Sequence, residues 1–315
     1  ALPFTRKPHP SYKKTVPAWE MIKDSITIHR GCAGGCSFCS LAMHQGRLIQ
    51  SRPESSILAE VEKVAKQSGG IISDLGGPSA NMYGAHCAKK DSACKRHSCL
   101  WPGLCPFFRH DQCRLLELMR SVRRATGVKK ALINSGVRMD LALLCPDYLS
   151  ELAAHHTGGQ LSVAPEHLDP AILKLMHKPS LDQYLEFARR FESAGAKAGK
   201  QQFLIPYFIS AFPGADLKSA VTMALALKKL GIRPRQINDF IPAPMELATA
   251  AYYTGTDPLT GAKIHVPKGE NERKLHRALL QYFKPENRPL VLRALKLAGL
   301  SGEARNLLSH SSKHA

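Results

Sequence analysis

At 315 residues the chain is long enough to bury a barrel-sized core, and a composition of 44% hydrophobic and 22% charged residues is that of a globular protein. It shows no signal-peptide pattern and no apolar run of about 18 residues, the rough minimum for a membrane span, so a soluble, cytoplasmic chain with no membrane partner is expected. Lys and Arg number 44 against 25 Asp and Glu, a formal net charge of +19; such an excess attracts polyanions, nucleic acid first among them, unless an acidic segment or partner balances it.

The opening stretch ALPFTRKPHPSYKKTVPAW is Pro-rich and starts at Ala1. It reads as a lead-in, residues 1–24, from the middle of a longer protein whose N-terminal portion is an expected partner. A strand is predicted at 25–30, then a cysteine-bearing loop and a helix over 55–66. GIISDLGG, 70–77, is a second strand ending in two glycines. An irregular cysteine-rich insertion, 80–113, precedes a helix at 114–124 and a third strand at 129–136. Pro146 opens a helix to 154, where proline suits the first turn. The fourth strand is 159–167, and Ser180 is the predicted N-cap of a helix to 194. A fifth strand at 201–214, a helix over 216–230 stopped by Gly231, and a sixth strand at 235–245 complete the series. Strands alternating with helices imply parallel pairing and right-handed crossovers. Six such units fit an α/β fold with a partial (β/α)6 barrel, whose chemistry is expected at the C-terminal strand ends. From residue 246 to 315 the rhythm stops. A turn-rich stretch, two helices near 270–281 and 287–297 and a disordered SHSSKHA tail are expected there as a C-terminal extension of the 25–245 core.

Nine cysteines are present, eight of them between Cys32 and Cys113. In a reducing compartment such clustering points to metal or redox chemistry rather than disulfides. Cys32, Cys36 and Cys39 follow the first strand, with Gly31, Gly34 and Gly35 expected to supply positive φ angles that wrap the backbone around a bulky inorganic core. A helix carrying buried thiols would have to absorb two adjacent glycines at roughly 2 kcal/mol. Zinc with His29 or His44 as fourth ligand competes with an iron–sulfur cluster. Three thiolates on a four-iron cluster leave one iron open to a small molecule.

The motifs RGCAGGCSFCS, ISDLGGPSANMY, SGVRMDL, APEH, LIPYFISAFPG and YYTG together resemble the YgiQ-type proteins of the radical S-adenosylmethionine (SAM) superfamily, from Leu2 to about Leu297. The resemblance implies a [4Fe–4S] cluster on Cys32, Cys36 and Cys39, whose open iron chelates SAM. It also implies reductive cleavage to methionine and a 5′-deoxyadenosyl radical that takes hydrogen from a substrate the sequence does not name. An electron donor such as flavodoxin or ferredoxin is an implied partner. Gly76 and Gly77 occupy the position that offers carbonyls to the methionine amino group, although Pro78 stands where an acidic residue is common. Asn134, Ser135 and Glu166 are placed to meet the ribose or carboxylate, Arg138 to fork onto the carboxylate, and Phe38 to serve as core or adenine shelf. The SAFPGAD loop, 210–216, is similar to one that packs on adenine. NDFIPAPMELAT, 238–249, resembles a segment of methylthiotransferases without its Gly-Thr, which keeps an RNA-modifying enzyme open as an alternative. A non-catalytic, zinc-stabilised nucleic-acid-binding module is a further one. Cys145, His155, His156 and His276 read as ordinary packing or surface residues.

Cys87, Cys94, Cys99 and Cys105, with Cys113 just beyond, lie in a Lys-rich segment with little apolar content of its own. Four thiolates around a metal would order it, and a second metal site of zinc or iron–sulfur is expected there.

Overall fold

The protein is described by a computed structural model covering residues 7–89, 94–110 and 112–309; the expected disordered tail falls largely outside these residues. In chain order, α1 (Pro17–Ile22) leads into β1 (Ser25–Thr27) and β2 (His29–Arg30), followed by α2 (Leu41–Gln45), β3 (Gln50–Ser51) and α3 (Glu54–Gln67). Next come β4 (Ile71–Ile72), β5 (Asp74–Gly76), β6 (His86–Cys87), β7 (Phe108–Arg109), α4 (Cys113–Arg124) and β8 (Lys130–Ala131). The chain continues through α5 (Met139–Ala142), α6 (Pro146–Glu151), β9 (Gln160–Glu166), α7 (Pro170–Met176), α8 (Leu181–Lys197), β10 (Phe203–Ser210), α9 (Leu217–Lys229) and β11 (Ile237–Asp239). Four helices close it: α10 (Leu247–Thr254), α11 (Glu270–Leu280), α12 (Arg288–Leu297) and α13 (Ala304–Leu308). Among the described residues no helix is long and apolar enough to cross a membrane.

The partial α/β barrel is built from parallel pairs. β1 pairs with β5 (Ile26 opposite Leu75), β4 with β8, and β9, β10 and β11 form one ladder. The Leu75 N–H donates to the Leu132 carbonyl at 2.9 Å, which ties the first ladder to the second. Helices cover the outside with one apolar face each. α8 starts at a Ser180–Gln183 capping box and buries Tyr184, Phe187 and Phe191. α9 starts at Asp216, whose carboxylate accepts from the Ser219 N–H, and stops at Gly231, at φ 68°.

Several predicted strands are shorter than their apolar runs. The run at 129–136 forms a ladder only at Lys130–Ala131. From Asn134 onward side chains take backbone N–H groups: Asn134 and Ser135 donate to Asp74 Oδ1, and Arg138 donates to Asn81 Oδ1. The run at 25–30 divides, with β2 turning to pair antiparallel with β3 just before the cysteines. α7 and α10 were not expected. α7 is short but well signalled, with Asp169 as N-cap and Pro170 at its first position. α10 is hidden by its Thr- and Tyr-rich sequence within a stretch read as turns, and ends at Gly255, at φ 68°. The cysteine-rich insertion is not devoid of apolar content: Leu100, Cys105 and Phe108 bury together with Ala33, Met82, Ala85 and Leu141.

Candidate active site

The loop bearing Cys32, Cys36 and Cys39 leaves β2 at the C-terminal mouth of the barrel, and neighbouring elements supply partners for its backbone. The Gly31 N–H donates to Gln45 Oε1 at 3.3 Å and the Cys32 N–H to the Gly46 carbonyl at 3.1 Å. The Ala33 carbonyl accepts from the Cys99 N–H at 3.0 Å, and the Gly34 carbonyl accepts from Ser98 Oγ at 2.7 Å. His177 Nδ1 bonds the Gly35 carbonyl at 3.0 Å, and His177 stacks on Trp101 with ring centroids 3.8 Å apart. Ser37 donates to the Met176 carbonyl at 3.1 Å and accepts from the Ala248 N–H at 2.8 Å. An irregular loop can be partly buried only when its peptide groups are satisfied in this way. Positive φ angles occur at Gly31 (88°) and Gly35 (58°), but not at Gly34. Gly34 is needed for a different reason: a Cβ there would stand 3.2 Å from Arg138 Nη1 and 3.4 Å from Cys32 Sγ.

Burial pushes the Cys32 thiol up, and the neighbouring Cys36 sulfur adds to the effect, with Arg138 and Lys178 opposing. Burial also pushes Cys39 up to about 11, reinforced by Cys36, Cys32 and Glu246. Such thiols are held as neutral SH until a strongly positive centre takes them, which is what a metal site does. Among the described residues no three His, Cys, Asp or Glu side chains converge on a single point, at this loop or elsewhere. Cluster thiolates each hold a separate iron and need no such convergence.

Arg138 departs from expectation. Its Nε and Nη2 close on Asp140 at 2.9 and 3.0 Å, so the fork read as a carboxylate clamp is already occupied. Its remaining Nη1 faces Cys36 Sγ at 3.5 Å. Burial alone would lower this guanidinium; Asp140 and the Cys36 and Cys32 sulfurs outweigh it and hold the charge in place.

Gly76, Gly77 and Ser135 line one cavity of about 200 Å³, together with Arg30, Asp74 and Pro78. A Cβ on Gly76 would overlap Ser135 Oγ and Asp74 Oδ2, and one on Gly77 would stand 2.6 Å from His29 Cε1. Both glycines are therefore required by the packing of the protein itself. Asp74 is the residue that sequence reading passed over. It accepts from the Asn134 and Ser135 N–H groups at 2.8 and 3.0 Å and from Ser135 Oγ, locking the ends of the second and third strands together. Asn134 is exposed and gives its amide N–H to the Ser73 carbonyl at 2.7 Å.

Glu166 ends β9 at φ 68°, a left-handed conformation that costs a non-glycine residue about 1 kcal/mol or more. Burial pushes its carboxyl up, with Lys178 as the opposing charge. Lys178 thus acts on both Glu166 and Cys32, a link no sequence spacing announced. Phe38 is half-buried and meets Phe212 edge-on at 5.9 Å, with Phe240 next in the row. The SAFPGAD loop is fixed by Ser210 Oγ donating to Asp239, which also pairs with Arg277. His156 and His276 are buried packing residues, and Cys145 packs against the main core.

A family model of the Radical SAM superfamily matches residues 26–227. The chain belongs to the radical SAM superfamily. Radical SAM enzymes use a [4Fe–4S] cluster and SAM, and the three-thiol loop fits the cluster they carry. A second model, a domain of unknown function (DUF3362), matches residues 235–309, taking in β11 and helices α10 to α13. A UPF0313 protein of Geobacter sulfurreducens is 47% identical over 98% of this chain and 52% of its own length. One from Bradyrhizobium diazoefficiens is 47% identical over 95% of this chain and 46% of its own, and one from Methanocella arvoryzae is 44% identical over 98% and 52%. This radical SAM chain spans about half the length of the curated relatives it matches. Among solved structures, the radical SAM methyltransferase TsrM from Kitasatospora setae, with cobalamin and a [4Fe–4S] cluster bound, superposes with a TM-score of 0.51 at 15% identity. That match covers 72% of this chain and 38% of TsrM, and it shows a shared fold.

Proposed function

We infer that this chain is the catalytic core of a YgiQ-type radical SAM enzyme that initiates hydrogen abstraction from its substrate. The observation that carries this reading is the loop of Cys32, Cys36 and Cys39, with its carbonyls and amides held by β6–β7 segment residues, α7 and α10 at the barrel mouth. The cluster would supply one electron to the sulfonium of SAM, releasing methionine and a 5′-deoxyadenosyl radical. The chain's own residues do the rest. Cys32, Cys36 and Cys39 hold the cluster, and Arg138, fixed by Asp140, puts a permanent positive charge beside Cys36. Gly76, Gly77 and Ser135, the last held by Asp74, line the cavity where the amino acid and ribose portions of SAM would bind, with Asn134 beside it on the same strand end. Glu166 offers a carboxyl group beside Lys178 for a hydroxyl or amino partner. The half-buried face of Phe38 would shelter adenine. Such a core would draw electrons from a flavodoxin- or ferredoxin-type donor, and thiolate cluster ligands suit a reducing compartment such as the cytoplasm.

The test is anaerobic incubation of the iron-loaded protein with reductant and SAM. Formation of 5′-deoxyadenosine and methionine is expected; SAM left intact by a cluster-loaded protein would overturn the reading.

A second reading concerns the substrate. The net charge of +19 favours a polyanion, which makes an RNA-modifying enzyme the reading to test next. Binding of single-stranded RNA should then weaken with salt at a log–log slope of about −0.7 per neutralised phosphate. Binding that is absent at low salt removes RNA from consideration.

A further inference from the structure

The reading above uses three cysteines of nine. Four others, untouched by it, are assembled by the backbone of the segment between β5 and α4. β6 and β7 pair antiparallel with Cys87 directly opposite Phe108, and the Ala88 N–H donates to the Phe107 carbonyl at 2.8 Å. The Phe108 N–H donates to the Cys105 carbonyl at 3.0 Å, and the Cys105 N–H donates to the Cys99 carbonyl at 2.7 Å. Backbone pairing and turn hydrogen bonds thus link the stretches that carry Cys87, Cys99 and Cys105. The Cys94 carbonyl accepts from Arg47 Nη2 at 3.3 Å. Cys99 packs against the small apolar cluster that buries Cys105, which sets these two side chains on one patch; burial pushes the Cys99 thiol up, and Cys105, Cys87 and Cys94 add to the effect.

The apolar cluster of this segment is small and borrows Ala33, Met82, Ala85 and Leu141 from the surrounding fold. A segment so poor in buried surface relies on a cross-link for order. It nonetheless bears directly on the radical-cluster loop. Ser98 Oγ donates to the Gly34 carbonyl while accepting from the Leu100 and Trp101 N–H groups at 3.0 and 2.9 Å. The Cys99 N–H holds the Ala33 carbonyl, and Trp101 stacks on the histidine that holds Gly35.

We propose that Cys87, Cys94, Cys99 and Cys105 hold a second, thiolate-bound metal centre, zinc or iron–sulfur, that orders this segment and thereby clamps the Ala33–Gly35 backbone of the three-thiol loop. Four thiolates are the complement of a closed structural centre, with no position left for substrate. Among the described residues three such side chains do not meet at a single point, so metal binding draws the sulfurs together and contributes its binding free energy to the fold of the segment.

The experiment is elemental analysis of the full chain with Cys32, Cys36 and Cys39 all changed to Ala, purified anaerobically. About one zinc, or roughly two to four irons with matching sulfide, should remain per chain and disappear when Cys94→Ser is added. A folded, metal-free triple variant overturns the proposal, and so does recovery of these four cysteines as disulfides under reducing purification. Should the triple variant not fold, Cys94→Ser alone must lower the metal content of the otherwise unaltered chain by one centre; unchanged content overturns the proposal equally. The clamp has its own readout: in Cys94→Ser the Cys99 amide should exchange with solvent about tenfold faster. Because the first variant lacks the radical-cluster cysteines, its result is independent of whether the chain cleaves SAM.

Discussion

The strand β10 has two ends with opposite characters. Its C-terminal end buries Phe208 and Ser210 to 0% and 1% exposure, with Ser210 locked to Asp239 and Ala211 strained at φ 54°. Its N-terminal end leaves Phe203 54% and Ile205 36% exposed, on a cavity of about 1140 Å³ shared with Gln160 and Leu230. The same contrast runs across the barrel. Positive-φ residues Glu166 and Ala211, the buried Arg138–Asp140 pair and the three-thiol loop all gather at the C-terminal mouth. The difference teaches where this fold concentrates strain and buried charge: only where many elements converge are such features held firmly enough to persist.

The sharpest way to break the comparison is at the thiols. Cys36→Ala should abolish the broad visible absorption of the iron–sulfur core and SAM cleavage together; wild-type levels of both would remove the cluster from this loop.

Gly31→Ala comes next. The residue sits at φ 88° and its Cβ would overlap the Leu48 carbonyl oxygen, a backbone atom that cannot swing aside. A loss of about 3 kcal/mol in unfolding free energy is expected, read by denaturant titration, with cluster loading reduced in parallel. Gly103→Ala, which meets open space, is the control and should be nearly neutral.

Acid should then act through buried histidines. Burial holds His167 and His276 down to about 4, below the ordinary histidine value. The unfolded chain therefore binds more protons than the folded one between about pH 6.5 and 4, and stability falls as pH falls through that window. The expected slope is about 1 kcal/mol per unit for each histidine, measured as the urea midpoint at pH 6.5 against 5.5. A flat midpoint would show that these rings are not neutral in the folded protein.

The smallest effect is expected at the far end. Phe203→Ser should leave cluster absorption and SAM cleavage unchanged and shift stability by no more than about 0.5 kcal/mol. A large loss of cleavage there would erase the distinction between the two ends.

The series of strands and helices, the capping of α8 at Ser180, the stop at Gly231 and the three-thiol motif were all legible in the sequence. Each is written in residues close together along the chain, as a period, a cap or a spacing, and local backbone chemistry suffices to express it. What the sequence left undecided is the state of long-range partners. Arg138 has the chemistry to clamp a carboxylate, but Asp140 takes its fork and Cys36, 102 residues away, takes its remaining face. Gly34 has the look of a conformational glycine, yet its φ is ordinary and it is small because Arg138 and Cys32 crowd it. Asp74 carries no motif, and becomes the lock between two strand ends only when β5 lies beside the chain following β8. Ser98 and His177 bond the carbonyls of Gly34 and Gly35 across 64 and 142 residues. A side chain's hydrogen-bonding capacity is a property of its residue type, but which partner uses that capacity is set by what the fold brings within about 3 Å.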